Sequence, residues 1–387
     1  MLSNLPNRRR LQSGWRSWIS STTLALAITT LLILVVGWIG FASIHQKSTL
    51  SLEARLNSEV DTYVRALEMW LDEQRKVVHS WASDAGVRTE ILDFVNSPLA
   101  SEWNRERVLA SDELKRLRMR LAPVCEAHGY VGFVVLDRDG RQVATLLDDA
   151  LGRFLDAKPL ETIQRAWQGN SVITLPFVSS VPLPDENGML KQKQITTLAA
   201  APIQDRDGNV LAVLAFRLST SKQFADALEK ARPGTTGETY AFDRSGLLLT
   251  DSRFNGQLRD LDLISKDPTS RAALELELRD PGVDLTQGFR PGLPRKAWPL
   301  TQMASSATQG ENKVDVAGYR DYRGMPVVGA WRWLPTYEFG VTREIDVAEA
   351  YASFYTIRQV FLGWLGLFAV WPGWRPIGLS GCSSGLH

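Results

Sequence analysis

The sequence has few of the side chains on which most catalytic and metal sites depend. Among its 387 residues are two cysteines, Cys125 and Cys382, and four histidines. Two distant cysteines cannot build a disulfide framework, and scattered histidines offer no cluster of metal ligands. Charge of one sign is also lacking, because 44 basic side chains stand against 43 acidic ones. We therefore expect no cofactor, no metal and no nucleic-acid partner.

Two long apolar runs are present instead. Residues 22–44 carry no charge, and as a helix they would extend about 34 Å, enough to cross a bilayer core. Arginines but no acidic residues precede this run, so the positive-inside rule predicts a cytoplasmic segment at 1–21 and export of the chain after residue 44. The run at 359–374 is short for a span, and we expect it to cross within a helix at 346–374. A short tail at 375–387 would then end the chain.

A helical stripe comes after the first apolar run. Apolar or aromatic residues recur at four- and three-residue intervals from Leu56 to Trp81, and they predict a long helix over 46–98. The stripe fits a dimeric coiled coil and equally a helix packed along its own domain.

Four Asp-x-x-Gly tetrads punctuate the rest of the chain. They begin at Asp137, Asp205, Asp243 and Asp321, each between two β-rich runs, so each predicts a tight hairpin turn. Calcium loops fit less well, because positions that an EF-hand needs as ligands are apolar. Two similarly spaced pairs of hairpins predict one antiparallel-sheet module that occurs twice, in an α+β fold.

Each module is predicted to carry a long insertion between its hairpins. In the first, a helix at 160–167 and a strand at 172–178 lead into a loop at 179–192. In the second, a helix at 270–279 precedes a Gly- and Pro-rich stretch, and a short helix at 221–231 separates the modules. Insertions of this size commonly form binding loops, so we expect a ligand site beneath the first one.

The ligand site is expected on one face of the first sheet, where aromatic and polar side chains suit a pocket. Arg217 interrupts the apolar strand LAVLAFRL and can hold a ligand carboxylate through two hydrogen bonds; a salt bridge at the strand end is the alternative. The candidate ligand-binding residues are Tyr130, Phe133, Trp167, Thr174, Phe177, Thr197 and Arg217.

Two other patterns have simpler explanations. The letters of 381–385 match a G-x-S-x-G nucleophile elbow, but too few residues remain after them to supply an acid and a histidine. We therefore predict no catalytic residue and no enzyme. A second-module aromatic cluster is typical of core packing, with interfacial anchoring or a second pocket as alternatives. Its members are Tyr319, Tyr322, Trp331, Arg332, Trp333 and Tyr337.

The anchor, the long helix and the paired hairpins together resemble the double Cache (dCACHE) sensor domains of bacterial chemoreceptors and sensor kinases. The resemblance covers about 46–350 and implies two PAS-like modules in tandem, membrane-distal at 99–220 and membrane-proximal at 221–345. The ligand pocket of this family usually lies in the membrane-distal module. The stretches that carry the resemblance are 196–218, 237–254 and 316–351.

The resemblance implies a homodimeric receptor in the bacterial inner membrane that senses a small molecule outside the cytoplasm. Closure of a lid around 179–193 would shift the long helix and then the last helix. The amino-acid-binding subgroup uses an Arg-x-Trp pair together with a late Asp, and that full set is not placed here, because the strand at 211–218 carries Arg217 and no Asp. We expect an organic acid or an amine as ligand.

Such receptors continue into a cytoplasmic kinase, cyclase or methyl-accepting domain. We therefore expect a truncation or a shifted reading frame after Trp371, or else a cytoplasmic signalling partner. Two alternatives stay open: the sensory portion of a receptor enzyme (a protein kinase or nucleotide cyclase), and a structural envelope protein that dimerises through 52–81.

Overall fold

The computed structural model describes residues 11–185, 188–219 and 234–370. Three predicted features lie outside these residues: the helix at 221–231, the tail at 375–387 and the elbow-like letters at 381–385. The chain divides into two compact units, 55–349 and a smaller unit made of both chain ends.

The smaller unit contains the predicted anchor. Helix α1 (Leu11–Ser83) begins there, and among the described residues it provides the one stretch that is long and apolar enough to cross a membrane. Residues Ala352–Val370 are helical as well. The second predicted span is not shown by the structure and stays a prediction.

Nine further helices and twelve strands are present in the described part of the chain. The helices are α2 (Ala85–Val95), α3 (Pro98–Ser101), α4 (Arg105–Ala110), α5 (Asp112–His128), α6 (Ala157–Gln164), α7 (Asn255–Asp260), α8 (Gln302–Thr308), α9 (Val347–Ala350) and α10 (Ala352–Val370). The strands are β1 (Gly132–Leu136), β2 (Gln142–Thr145), β3 (Val172–Ile173), β4 (Phe177–Val178), β5 (Leu183–Pro184), β6 (Leu190–Lys191), β7 (Ile195–Gln204), β8 (Val210–Ser219), β9 (Glu238–Asp243), β10 (Lys313–Arg320), β11 (Pro326–Leu334) and β12 (Phe339–Asp346).

The long helix predicted over 46–98 is interrupted at Asp84. The backbone of Asp84 leaves helical geometry, and its carboxylate accepts a hydrogen bond from the backbone N–H of Val87 at 2.9 Å. An aspartate in this position starts a new helix, because it satisfies one of the unpaired N–H groups of the first turn.

Two antiparallel sheets share one strand order. The first runs β2-β1-β8-β7-β3, with β4 also on β7, and the second runs β10-β11-β12-β9. A bridge between Phe242 and Leu248 places a short fifth segment beside β9. Numbered within its own module, each sheet then has the order 2-1-5-4-3. The prediction of a repeated sheet module is confirmed, and β5 with β6 forms a small hairpin inside the predicted loop at 179–192.

All four Asp-x-x-Gly tetrads are tight turns of one design. In each, the aspartate Oδ1 accepts hydrogen bonds from the backbone N–H groups two and four residues later, at 2.8–3.1 Å. The glycines have φ between +79° and +86°, a region that other residues avoid. The turns fall two in each sheet, but the second turn of each pair lies at a different place: the turn at Asp205 joins strands four and five of its module, whereas that at Asp321 joins strands three and four.

The helix predicted at 270–279 is not formed. The backbone N–H of Leu248 donates to the carbonyl of Leu276 at 2.9 Å, and that of Leu278 donates to the carbonyl of Gly246 at 2.8 Å. Pairing with the edge of the hairpin satisfies these backbone groups, and it overrides the local helical pattern.

Helix α1 packs against both sheets. Leu67 and Leu71 join the apolar cluster of the second sheet, and Val78 and Ala82 join that of the first. Trp70 contacts both clusters. The apolar stripe is therefore used inside the chain's own domain, which is the second of the two alternatives that its spacing allowed.

Candidate functional site

The first sheet is buried on both faces. One face packs on α1, α2 and α5 and is called the helix face; the other is covered by residues 155–167 and is called the lid face. Along β8, Leu214 and Phe216 belong to the helix face and Val213 and Ala215 to the lid face, in the alternation that a strand requires. Arg217 is the next lid-face residue.

The structure places three of the seven predicted residues on the lid face: Trp167 and Phe177 pack into its apolar cluster, and Arg217 follows by the alternation of β8. Thr174 is buried, and its Oγ1 accepts a hydrogen bond from the backbone N–H of Leu198 at 3.0 Å. The other three lie on the helix face: Tyr130, Phe133 and Thr197. The hydroxyl of Tyr130 donates to Gln74 Oε1 at 2.6 Å, and its ring stacks on Phe216 at 5.1 Å. Tyr130 and Phe133 therefore pack between the sheet and the helices, on the face opposite Arg217.

Arg217 is a buried guanidinium that has no carboxylate partner in the described part of the chain. Its side chain is 2% exposed. Its Nη2 donates to Gln142 Oε1 at 3.2 Å, and its Nη1 has no hydrogen-bond partner among the described residues. Burial lowers the pKa of Arg217 to about 10, so the group still carries its charge at neutral pH. The alternative of a salt bridge at the strand end is not realised here.

A charge in this environment is costly. A buried donor without an acceptor costs about 1–3 kcal/mol, and an uncompensated buried charge costs more. A carboxylate beside Nη1 and Nη2 would remove both penalties, because guanidinium and carboxylate match in geometry and charge. The Trp167 indole Nε1 is another buried donor that lacks a partner among the described residues. The lid face thus has two unused donors suited to an acceptor-rich ligand.

Gln142 and Thr145 are lid-face polar residues that the sequence analysis did not identify. Each is 1% exposed, and in β2 they lie opposite Leu136 and Val134 respectively. Residues three apart in a regular strand point to opposite faces. An irregularity in the β1–β2 pairing, between Val135 and Leu136, brings both to the same face. The polar letters in RQVATLL were the available signal, but the bulge was not visible in them.

The second sheet contains buried acids that are fully hydrogen-bonded. Glu344 accepts from the hydroxyls of Tyr240 at 2.6 Å and Tyr319 at 2.7 Å, and Glu238 accepts from the hydroxyl of Tyr322 at 2.7 Å. Burial raises the pKa of Glu344 to about 8. Tyr319, Tyr322 and Trp331 are therefore core, as the default explanation predicted. Tyr337 is half-buried, and its hydroxyl donates to Asp72 of α1 at 2.9 Å.

Arg323, a buried cation of the second module, is paired. Arg323 Nε contacts Asp321 at 2.7 Å, and Nη2 contacts Asp346 at 2.8 Å. It borders a cleft of about 460 Å³. Arg332 points to the face opposite Trp331, as predicted, and its Nε contacts Asp61 of α1 at 2.8 Å.

No protein-family model and no curated protein matches the sequence. The three solved structures named below, which are sensor or ligand-binding domains, are similar to this chain. The sensor domain of the V. cholerae histidine kinase DctB is 14% identical with a TM-score of 0.47, and the match covers 77% of this chain and 98% of that one. The periplasmic sensory domain of the Campylobacter jejuni chemoreceptor Tlp1 is 13% identical with a TM-score of 0.47, covering 79% and 98%.

The ligand-binding domain of the C. jejuni chemoreceptor Tlp3, in complex with L-valine, is 12% identical with a TM-score of 0.39, covering 78% of this chain and 97% of that one.

Proposed function

We propose that this chain is the extracytoplasmic sensor of a receptor in the bacterial inner membrane, and that it binds a small organic acid on the lid face of its first sheet. The observation that carries this proposal is Arg217, a buried cation whose Nη1 lacks an acceptor in the described part of the chain. A carboxylate ligand compensates this charge, whereas an amine would add to it. The buried cation thus favours the acid over the amine. The chain's role is binding and signalling, without catalysis of its own.

A ligand on Arg217 can influence the helices through the strand that carries it. Phe216, the neighbouring residue of β8, packs into the helix-face cluster together with Val78 and Ala82 of α1. The same helix is tied to the second sheet, where Arg343 Nε contacts Glu59 at 3.0 Å. A ligand that prefers one of two packings by a few kcal/mol is enough to shift this arrangement. Signal transfer then runs from β8 through α1 to the second module.

The test uses the full chain in detergent and compares propionate with propionamide and propylammonium. We expect propionate to raise the melting temperature, with a stabilisation of about 2.7 kcal/mol at a concentration 100-fold above its dissociation constant. The neutral amide and the amine have the same size but lack the negative charge, so they should have little effect.

Arg217→Met should abolish the propionate shift, whereas Arg206→Met, at an exposed turn position, should retain it. The proposal fails if propionate, acetate and lactate all leave the wild-type melting temperature unchanged, or if the R217M variant responds as the wild type does.

Two alternative functions were the dimerising envelope protein and the sensory portion of a receptor enzyme. Dimerisation through 52–81 loses its main support, because Leu56, Val60 and Leu67 of the stripe are fully buried in the chain itself. A homodimer would need another surface, and it stays a prediction. Sequencing of the gene beyond the codon for Trp371 tests whether the sensor belongs to a receptor enzyme.

A further inference from the structure

A cleft of about 470 Å³ lies where α1, the first module's insertion and the β11–β12 turn meet, and it is called the junction cleft. Arg75, Lys76 and His79 of α1 form one wall, and Arg165 and Ser171 belong to the wall provided by the first module. Among the described residues that line the junction cleft, none has a carboxylate side chain. The junction cleft is separate from Arg217, which is not among the lining residues.

The cations of the junction cleft are only loosely neutralised. Arg75 lies 3.8 Å from Asp72, and Arg165 lies 3.6 Å from Glu338, both beyond ordinary hydrogen-bond distance. Asp72 instead accepts a hydrogen bond from the hydroxyl of Tyr337 at 2.9 Å. These acids stand beside the cleft and leave its interior positive.

Two donors of the junction cleft are unused among the described residues. Arg75 Nε is buried and has no hydrogen-bond partner there. Lys76 is exposed and forms no ion pair with any described residue. Ser171, whose hydroxyl lies 3.2 Å from His79 Nδ1, adds a neutral polar group. Cationic and neutral donors in one concave site, without an acceptor of full charge, are the chemistry that binds oxyanions.

We propose that the junction cleft binds a small oxyanion with two negative charges, of which inorganic phosphate is the simplest. Its ligand would touch three parts of the chain at once: α1, the first module at Arg165, and the second module at Tyr337. Occupancy therefore stabilises the arrangement of the two modules. This site is independent of the organic acid site and does not rest on the proposed function.

Calorimetric titration of the full chain in detergent with inorganic phosphate tests the proposal, with sodium chloride at matched ionic strength as the screening control. We expect saturable binding of phosphate. The double variant K76A/R165A should lower its affinity at least about tenfold, because each cation supplies a charge-assisted hydrogen bond. Lys266→Ala is the matched control, since Lys266 is an exposed lysine paired with Asp262 at 2.8 Å outside the cleft.

Arg217→Met separates the two proposed sites, because it should abolish the response to propionate and leave phosphate binding intact. The melting temperature without ligand shows whether K76A/R165A is folded; if it is not, Lys76→Ala alone, at an exposed position, gives the answer. Absence of saturable phosphate binding, equal affinity in the cleft variants, or loss of phosphate binding in R217M would each overturn the proposal.

Discussion

The two sheet modules have the same strand order but differ in how a buried arginine is paired: with carboxylates in the second module, and with a neutral amide in the first. In the second module Arg323 is held between Asp321 and Asp346, and Glu344 is held by two tyrosine hydroxyls. In the first module Arg217 has only the neutral Gln142 as a partner among the described residues. A polar network that is fully satisfied rigidifies a core, whereas one with an unused donor can still form a hydrogen bond to a ligand. This difference in charge pairing underlies the proposal that the first module binds the ligand.

The strongest test of this contrast removes each buried arginine in turn. Arg323→Met leaves two buried carboxylates without a cation and should lower the free energy of unfolding by about 3–5 kcal/mol. Arg217→Met removes a charge that has no counter-ion in the described part of the chain, so it should be neutral or should stabilise the chain by about 1–3 kcal/mol. Both free energies of unfolding are to be measured by denaturant titration in the absence of ligand. Equal destabilisation by the two variants would contradict the contrast.

The shared turns allow a smaller comparison. Gly208 and Gly324 occupy the same position of the Asp-x-x-Gly turn, with φ of +86° and +79°. A Cβ at Gly208 would meet open space, whereas one at Gly324 would overlap the backbone carbonyl of Val283. Gly208→Ala should therefore lower the free energy of unfolding by about 1–2 kcal/mol, the strain of a left-handed residue with a side chain. Gly324→Ala should lower it by a larger amount, because the overlap is added to that strain. Thermal melts of the two variants decide this, and a greater loss from Gly208→Ala would show that the turn in the second module is not the constrained one.

The third expected effect is a pH dependence that belongs to the second module. Because burial raises the pKa of Glu344 from 4.5 to about 8, the folded chain holds this proton more tightly than the unfolded chain. The contribution of Glu344 to stability is complete below pH 4.5 and is lost as the pH rises towards 8, by at most about 1.4 kcal/mol per pH unit. Glu344→Gln cannot titrate and should flatten this slope in unfolding curves measured between pH 5 and pH 8.

Glu349→Gln is the control for that slope. Burial opposes ionisation of Glu349, but hydrogen bonds from Thr236 and Thr235 outweigh it and lower the pKa to about 2. Its stabilising effect is present above the ordinary pKa of 4.5 and fades only as the pH falls towards 2. The slope between pH 5 and pH 8 should therefore survive in E349Q. If E344Q keeps the wild-type slope, another group is responsible.

Features that depend on local chemistry could be predicted from the sequence. The four turns arise from an aspartate that accepts two nearby N–H groups and a glycine that adopts positive φ. Arg217 was recognisable because a cation interrupts an apolar strand. The repeat of the sheet module could be inferred from the turns, although the second turn of each pair joins different strands.

Features that depend on distant partners could not be predicted. Residues 270–279 have a helical pattern, but their backbone pairs with a hairpin edge that precedes them. Tyr130 and Phe133 have the composition of pocket residues, yet the strand phase places them against the helices. The hydrogen-bond partner of Arg217 is Gln142, which lies 75 positions away in the chain. The one-residue bulge that turns the side chain of Gln142 to the face of Arg217 is not visible in the sequence.

Trp70 has a further consequence for how the two modules fold. This side chain packs into the apolar clusters of both sheets, and Ile173 does the same from the first module. Neither sheet can lose its packing without exposing a surface that also belongs to the other. The two modules should therefore unfold in one cooperative transition, and a destabilising change in either one should lower the melting temperature of both.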